Sequence, residues 1–240
     1  NRYIERGGNL LIAGDAERQE VMNPVVAPFG VKFLPGRLVQ EGEHVANLIV
    51  GNVTRESCNL NYMFRDMFHV YSVTMPDAVA LECDTTKGFT VTPLLVTKNK
   101  GSWIEYKTTD FVDDKAELNP EDGEVEQANL TALALNRKVG DKDQKIIILG
   151  DADCISNGEI SRQRSNIIAS NYSFINAMFF WLSDNEVPID VRRQPAKDNA
   201  VHVSMDLGEK KRKIEGIRDE WIKGSFGKIC RMNLFVASIV

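Results

Sequence analysis

The 240-residue sequence is poor in the groups that most often carry chemistry. It has three histidines, His44, His69 and His202, and none stands beside a nucleophile. Its four cysteines, Cys58, Cys83, Cys154 and Cys230, form no CxxC pair, so neither a zinc site nor a redox motif is spelled out. They are expected to be mostly buried thiols, with Cys58 and Cys83 free to pair in an extracytoplasmic setting. No Gly-x-Ser-x-Gly or Gly-x-Cys-x-Gly elbow occurs, which removes the usual nucleophile turn of a hydrolase. No Walker A sequence and no GxGxxG after a strand occur, so nucleotide hydrolysis and dinucleotide binding lack their phosphate loops. No run of ~18 apolar residues is present to cross a bilayer as a helix. A pI near 5.4 excludes a globally basic nucleic-acid binder. No cofactor, metal or nucleic-acid partner is expected. The chain opens at Asn1-Arg2-Tyr3-Ile4 without an initiator Met, a basic n-region or an apolar h-region. It is expected to be a domain of a longer product, with the first part of the native domain lying upstream.

What is present is an ordinary globular composition: 43% hydrophobic, 26% charged and a net charge of −5. Charge is unevenly placed. From Asp190 to Val240 there are eleven Lys/Arg against seven Asp/Glu, densest at Lys210-Lys211-Arg212-Lys213, so the rest of the chain is the more acidic part. Residues 105–126 form an acidic run, expected to be a solvated loop with a turn at Asn119-Pro120-Glu121-Asp122-Gly123.

Two short apolar runs fix the expected fold. Leu10-Leu11-Ile12-Ala13 follows a helix stopped by Gly7-Gly8, and Lys145-Ile146-Ile147-Ile148-Leu149 ends at Gly150-Asp151. Continuous apolar strands suit a parallel sheet covered on both faces. The expectation is a three-layer α/β fold with a mainly parallel sheet and a β-rich insertion around residues 35–125. Residues 1–207 would form this domain and residues 208–240 a charged tail. A short helix is expected over Glu20–Gly30 with Pro24 near its start. Tyr62–Phe68 is expected to be helical or irregular, and a helix is predicted over Asn171–Leu182. Strands are predicted at Val31–Leu34, Val45–Val50, Ala78–Leu81 and Val201–Met205, and at Phe89–Val96 with an edge or irregularity at Pro93.

In an open parallel sheet ligands bind at the carboxyl ends of strands. Asp15, Asp151 and Asp153 sit at such ends, followed by Ser156 and Asn157, and are the candidate contacts for a ligand or partner. Each acid would alternatively cap a turn or a helix start. Trp103 is a candidate stacking aromatic, or else a packing residue. A nucleophilic Cys154, paired with His69 or His202, would make the chain a hydrolase or amidotransferase-like enzyme. Trp103 with convergent acids would instead suit a carbohydrate-binding module.

Five segments then resemble, in order, the auxiliary component of ABC-type transport systems related to gliding motility. Tyr3-Ile4-Glu5-Arg6-Gly7-Gly8-Asn9-Leu10-Leu11-Ile12 is similar to its YIxxGGxLL signature. Asn23-Pro24-Val25-Val26-Ala27-Pro28-Phe29-Gly30-Val31 resembles LNPLLAPFGV, and Pro93-Leu94-Leu95-Val96-Thr97 with Ser102-Trp103 resembles PLLxTSxxSW. Gly150-Asp151-Ala152-Asp153-Cys154-Ile155-Ser156-Asn157 is similar to GDSDFxSN. Asn171 to Leu182 resembles NxxFxNxxxWL. The resemblance implies a glutamine-amidotransferase-like or flavodoxin-like fold. It also implies a non-catalytic accessory role facing the periplasm or cell exterior. ABC permease and ATPase subunits would be the partners, with membrane attachment through segments outside this sequence. After about residue 207 the sequence departs from that pattern. The basic cluster there is expected to lie close to lipid headgroups, or alternatively on a solvated helix with Ile214, Ile217 and Trp221 as its apolar stripe.

Overall fold

The computed structural model describes residues 2–112 and 116–185. The expected strand at Val201–Met205, the basic cluster, His202 and Cys230 lie outside these residues. Among the described residues there are ten strands: β1 Leu10–Ala13, β2 Val31–Phe33, β3 Arg37–Gln40, β4 Leu48–Val53, β5 Ser72–Pro76, β6 Leu81–Cys83, β7 Thr90–Val96, β8 Ser102–Glu105, β9 Leu130–Val139 and β10 Lys142–Leu149. Five helices accompany them: α1 Arg2–Glu5, α2 Gln19–Val26, α3 Tyr62–Met67, α4 Asn157–Ile160 and α5 Asn171–Leu182.

Six strands form one sheet in the order β1-β10-β9-β7-β4-β5. Only β1 and β10 run parallel; β10–β9, β9–β7, β7–β4 and β4–β5 are antiparallel. The expected mainly parallel three-layer fold is therefore overturned: this is a mixed, strand-dominated architecture. The cause is local. β9 and β10 are joined by Gly140-Asp141 alone, with Gly140 at φ 60°. A two-residue loop closes only an antiparallel hairpin, whereas a parallel pair needs a crossover of a dozen or more residues. The apolar run at Ile146–Leu149 was a poor guide to strand direction, because these antiparallel strands are also covered on both faces. Ala132, Ala134, Ile147 and Leu149 enter one core with Phe64, Phe174 and Trp181. Leu133, Leu135, Ile146 and Ile148 enter another with Val26, Phe29 and Phe33. The region 35–125 is not an insertion either, since β4, β5 and β7 supply half of the main sheet. Separate two-stranded ribbons pair β2 with β6 and β3 with β8.

Several local expectations hold. α1 ends where Gly7 takes φ 78°. The short 3₁₀ turn after α2 ends at Gly30 with φ 76°. Pro93 marks a register irregularity in β7, but in a central strand and not an edge. α2 starts at Gln19, earlier than expected, so Pro24 lies inside the helix. Ala78–Ala80 stay outside any strand, and β6 begins only at Leu81.

Candidate functional site

The two strand–Gly–Asp turns lie side by side, because β1 and β10 are parallel neighbours. Their glycines are there for closeness. A Cβ on Gly14 would sit 2.2 Å from the Phe33 ring, and one on Gly150 would sit 2.2 Å from the Val79 carbonyl oxygen. Gly150 N–H donates to Thr131 O at 2.7 Å, and its own carbonyl accepts from Val79 N–H at 2.9 Å, so backbone grips it from both sides.

The acids after these glycines do come together, but they play different parts. Asp151 is fully buried and accepts from the N–H groups of Asp153 at 2.8 Å and Cys154 at 3.1 Å. Burial pushes its carboxyl up to about 8 against the pull of those two donors, and the charges of Asp153 and Asp15 push the same way. Asp15 and Asp153 are exposed. Burial and the like charges of Asp153 and Asp77 raise Asp15, and the N–H of Ala16 and the charge of Arg18 oppose them. Ser156 caps α4, accepting from Glu159 N–H at 3.2 Å, and Asn157 is the exposed first residue of that helix. Asp151 and Ser156 thus do the capping work that a turn needs. Among the described residues no group of three His, Cys, Asp or Glu side chains is placed to hold a metal ion.

The other two sequence candidates, Trp103 and Cys154, are both buried. Trp103 is buried in β8, with its indole N–H directed to Glu105 at 3.4 Å, and it packs with Val39 and Ala116 at the border of a second cavity. Cys154 is fully buried and donates to the Asp151 carbonyl at 3.1 Å. Burial pushes its thiol well above its ordinary value, and the charges of Asp151, Asp153 and Glu159 add to this. That is the reverse of what a thiolate nucleophile needs. Cys58 and Cys83 are half-buried and free, so only one of the three described cysteines is a buried thiol.

The acidic run hides two inward-facing acids. Glu105 and Glu124 are buried. Glu105 accepts from the N–H groups of Lys107 and Thr108, each at 3.0 Å. Glu124 accepts from Tyr106 N–H at 3.2 Å and Asn119 N–H at 2.8 Å. Burial alone would raise Glu105, but the donors Thr108, Lys107 and Trp103 outweigh it and hold the carboxyl low.

An open cavity of about 910 Å³ was not foreseen from sequence. It lies where β4 and β5 meet three loops, around 41–45, 69–71 and 162–168. Its walls include both described histidines, His44 and His69, together with Lys98 and Arg162. Val70, Tyr71 and Ile168 add exposed apolar surface, 74% in the case of Ile168. A rigid frame holds the last loop. The Arg164 guanidinium grips the buried Glu159 carboxylate through both oxygens, one of them at 3.1 Å, and Thr74 Oγ1 donates to the same carboxylate. Burial would raise Glu159, but Arg164 and Thr74 together hold it low. Asn166 Nδ2 donates to Glu43 at 2.8 Å and ties two walls together. Walls that mix both signs of charge, Lys98 and Arg162 with Glu41 and Glu43, and apolar surface around an open groove are what a binding surface offers.

With the geometry in hand, comparison with known proteins is sparse. No family model matches the chain, and no curated protein matches it. Among solved structures it is similar to an mmIFT52 N-terminal domain. The TM-score is 0.52 at 14% identity, covering 78% of this chain and 69% of that one. That likeness concerns the fold alone, and it agrees with the mixed, strand-rich sheet.

Proposed function

We propose that the chain is a non-catalytic binding domain, the extracytoplasmic accessory part of an ABC-type export system. Its partner subunit or transported molecule would be received in the groove between β4, β5 and the 162–168 loop. One observation supports the non-catalytic part: four polar residues of the motif segments, Asn9, Asn23, Asp151 and Asn171, are engaged with backbone. Asn9 accepts from Lys145 N–H at 2.8 Å and donates to Leu182 O at 2.7 Å. Asn23 donates to Phe33 O at 3.1 Å and accepts from Phe33 N–H at 2.8 Å. Asp151 and Asn171 do the same at their own turns. The motif that resembles the transport auxiliary is in this reading a folding signature, and the groove is where sequence is free to follow a ligand. The five ordered motifs supply the transport assignment. It is tested by isolating the tagged full-length gene product from its own membranes. An ABC ATPase and permease in near-stoichiometric amount support it, and their absence from a stable, folded preparation removes it.

A further inference from the structure

Glycine directly follows an amide or acid residue at two places in the sequence, Asp122-Gly123 and Asn157-Gly158. Such a pair can close on itself, because the glycine nitrogen meets the preceding side-chain carbonyl carbon with no Cβ in the way. The fold treats the two pairs differently. Gly123 N–H donates to Pro120 O at 3.1 Å, and the Asp122 carboxylate is ion-paired with Lys107 Nζ at 2.6 Å. Both reacting groups are held there. Asn157 and Gly158 are exposed. Among the described residues no hydrogen bond reaches the Asn157 side-chain amide or the Gly158 N–H. Only the Asn157 main-chain carbonyl is used, accepting from Ser161 N–H at 3.2 Å and from Ser161 Oγ at 2.8 Å. The buried Asn61 is the contrast: its amide donates to Ala177 O at 2.9 Å and accepts from Phe64 N–H at 3.1 Å. The exposed pair lies in α4, a single turn of four residues with little cooperative strength of its own.

We infer that Asn157–Gly158 is a site of spontaneous, backbone-assisted deamidation, and that its isoaspartate product loosens the frame of the groove. The Gly158 nitrogen releases its proton to solvent and bonds to Asn157 Cγ. The Cγ–Nδ2 bond breaks, and ammonia leaves with a proton from solvent. One water then opens the cyclic imide at either carbonyl, giving aspartate or isoaspartate. Water is the only co-reactant. Aspartate leaves the main chain as it was. Isoaspartate inserts an extra methylene into the main chain two residues before Glu159. Glu159 is buried, its N–H donates to Ser156 Oγ at 3.2 Å, and its carboxylate holds Arg164 and accepts from Thr74 Oγ1. An insertion there pulls the carboxylate out of register with Thr74 and Arg164, and so frees the 162–168 wall. The inference rests on the geometry of the groove and not on what the groove binds.

Ageing the purified 240-residue chain in mildly alkaline buffer tests this, read by peptide mapping with mass spectrometry and by isoaspartyl methyltransferase labelling. The Asn157 peptide is expected to convert at least about 10-fold faster than the Asn61 peptide, and Gly158→Ala to slow it at least about 10-fold. The alanine is accommodated, since its Cβ would meet only Ser156 Oγ, at 3.7 Å. Asn157 conversion no faster than that of Asn61, or unchanged by Gly158→Ala, overturns the assignment. So does conversion seen only in urea. The isoaspartate fraction, enriched by chromatography, is expected to melt at least about 4 °C below unaged protein, and freshly purified Asn157→Asp about 1 °C below it at most. Equal melting of the isoaspartate fraction and Asn157→Asp overturns the loosened frame.

Discussion

Replacing Asn171 by Ala is expected to be among the most damaging single changes in this domain. The side chain is the first residue of α5, yet its amide behaves as a short piece of strand against β5, 97 residues away. Oδ1 accepts from Thr74 N–H at 3.0 Å and from Thr74 Oγ1 at 3.0 Å. Nδ2 donates to Thr74 O and to Cys154 O, each at 2.8 Å. Asn171 and Thr74 are buried and Cys154 is fully so, so water has little access to the groups left behind. Stranding a buried backbone donor or acceptor costs about 1–3 kcal/mol. Two carbonyls and one N–H lose their partner, and partial rearrangement keeps such losses from adding fully. A loss of about 3 kcal/mol is expected, or about 6–12 °C in Tm for a domain of this size. Asn171→Asp separates the parts. It keeps the acceptor for Thr74 but removes both donated bonds and places a charge near Glu159, so it should be no milder than the alanine. Urea denaturation monitored by tryptophan fluorescence measures both, with the m-value required to stay constant. A loss below about 1 kcal/mol for Asn171→Ala would refute the edge-clip reasoning.

Further outcomes follow from the same structure. Gly150→Ala places a Cβ 2.2 Å from the Val79 carbonyl oxygen and 3.1 Å from that of Thr131, so it should cost about 3 kcal/mol or abolish soluble expression; a near-neutral melt would contradict the backbone grip. Asp151 titrates at about 8 when folded, against about 3.9 unfolded, so its neutral form is favoured by folding. That contribution is full below about pH 4 and is lost as pH rises toward 8, at up to ~1.4 kcal/mol per pH unit for one proton. Asp151→Asn should flatten the stability curve across this window, and parallel curves would contradict the assignment. Cys154 should resist alkylation in the native protein while Cys58 and Cys83 react, as peptide mapping will show; rapid labelling of Cys154 would reopen the nucleophile reading.

What could be read from the sequence was mostly local. Gly7 and Gly30 stop helices because a left-handed residue is cheapest as glycine, and both stops appear where the letters put them. Leu10–Ala13 and Lys145–Leu149 are strands as expected, and they pair in parallel with one another. Sheet direction was the main failure. It was encoded in Gly140-Asp141, a two-residue hairpin signal between two β-rich runs, but the apolar run beside it drew attention to a parallel sheet. β3, β5 and β8 were missed because strands of four or five residues with polar members carry little periodicity. The buried polar contacts and the groove were hidden for a different reason. Nothing within a few residues of Asn171 or Asn23 announces a partner in a distant strand. Nothing in an acidic run says which two of its acids, Glu105 and Glu124, turn inward. The groove is likewise assembled from loops around 41–45, 69–71 and 162–168, far apart in sequence, and no motif spans them.

The most direct test of the binding-domain account changes the groove and counts what stays bound. The tagged protein would carry Lys98→Glu, a wall charge with no part in the Glu159–Arg164 frame, and a parallel preparation would carry Asp15→Asn and Asp153→Asn. Quantitative mass spectrometry of the complexes isolated from membranes then reports the ABC permease and ATPase per copy of the domain. The account predicts at least a 10-fold loss, about 1.4 kcal/mol, for the groove variant, an unchanged ratio for the aspartate variant, and unaltered melting for both. Retention of both subunits by a folded groove variant, or their loss only with the aspartate variant, would contradict it.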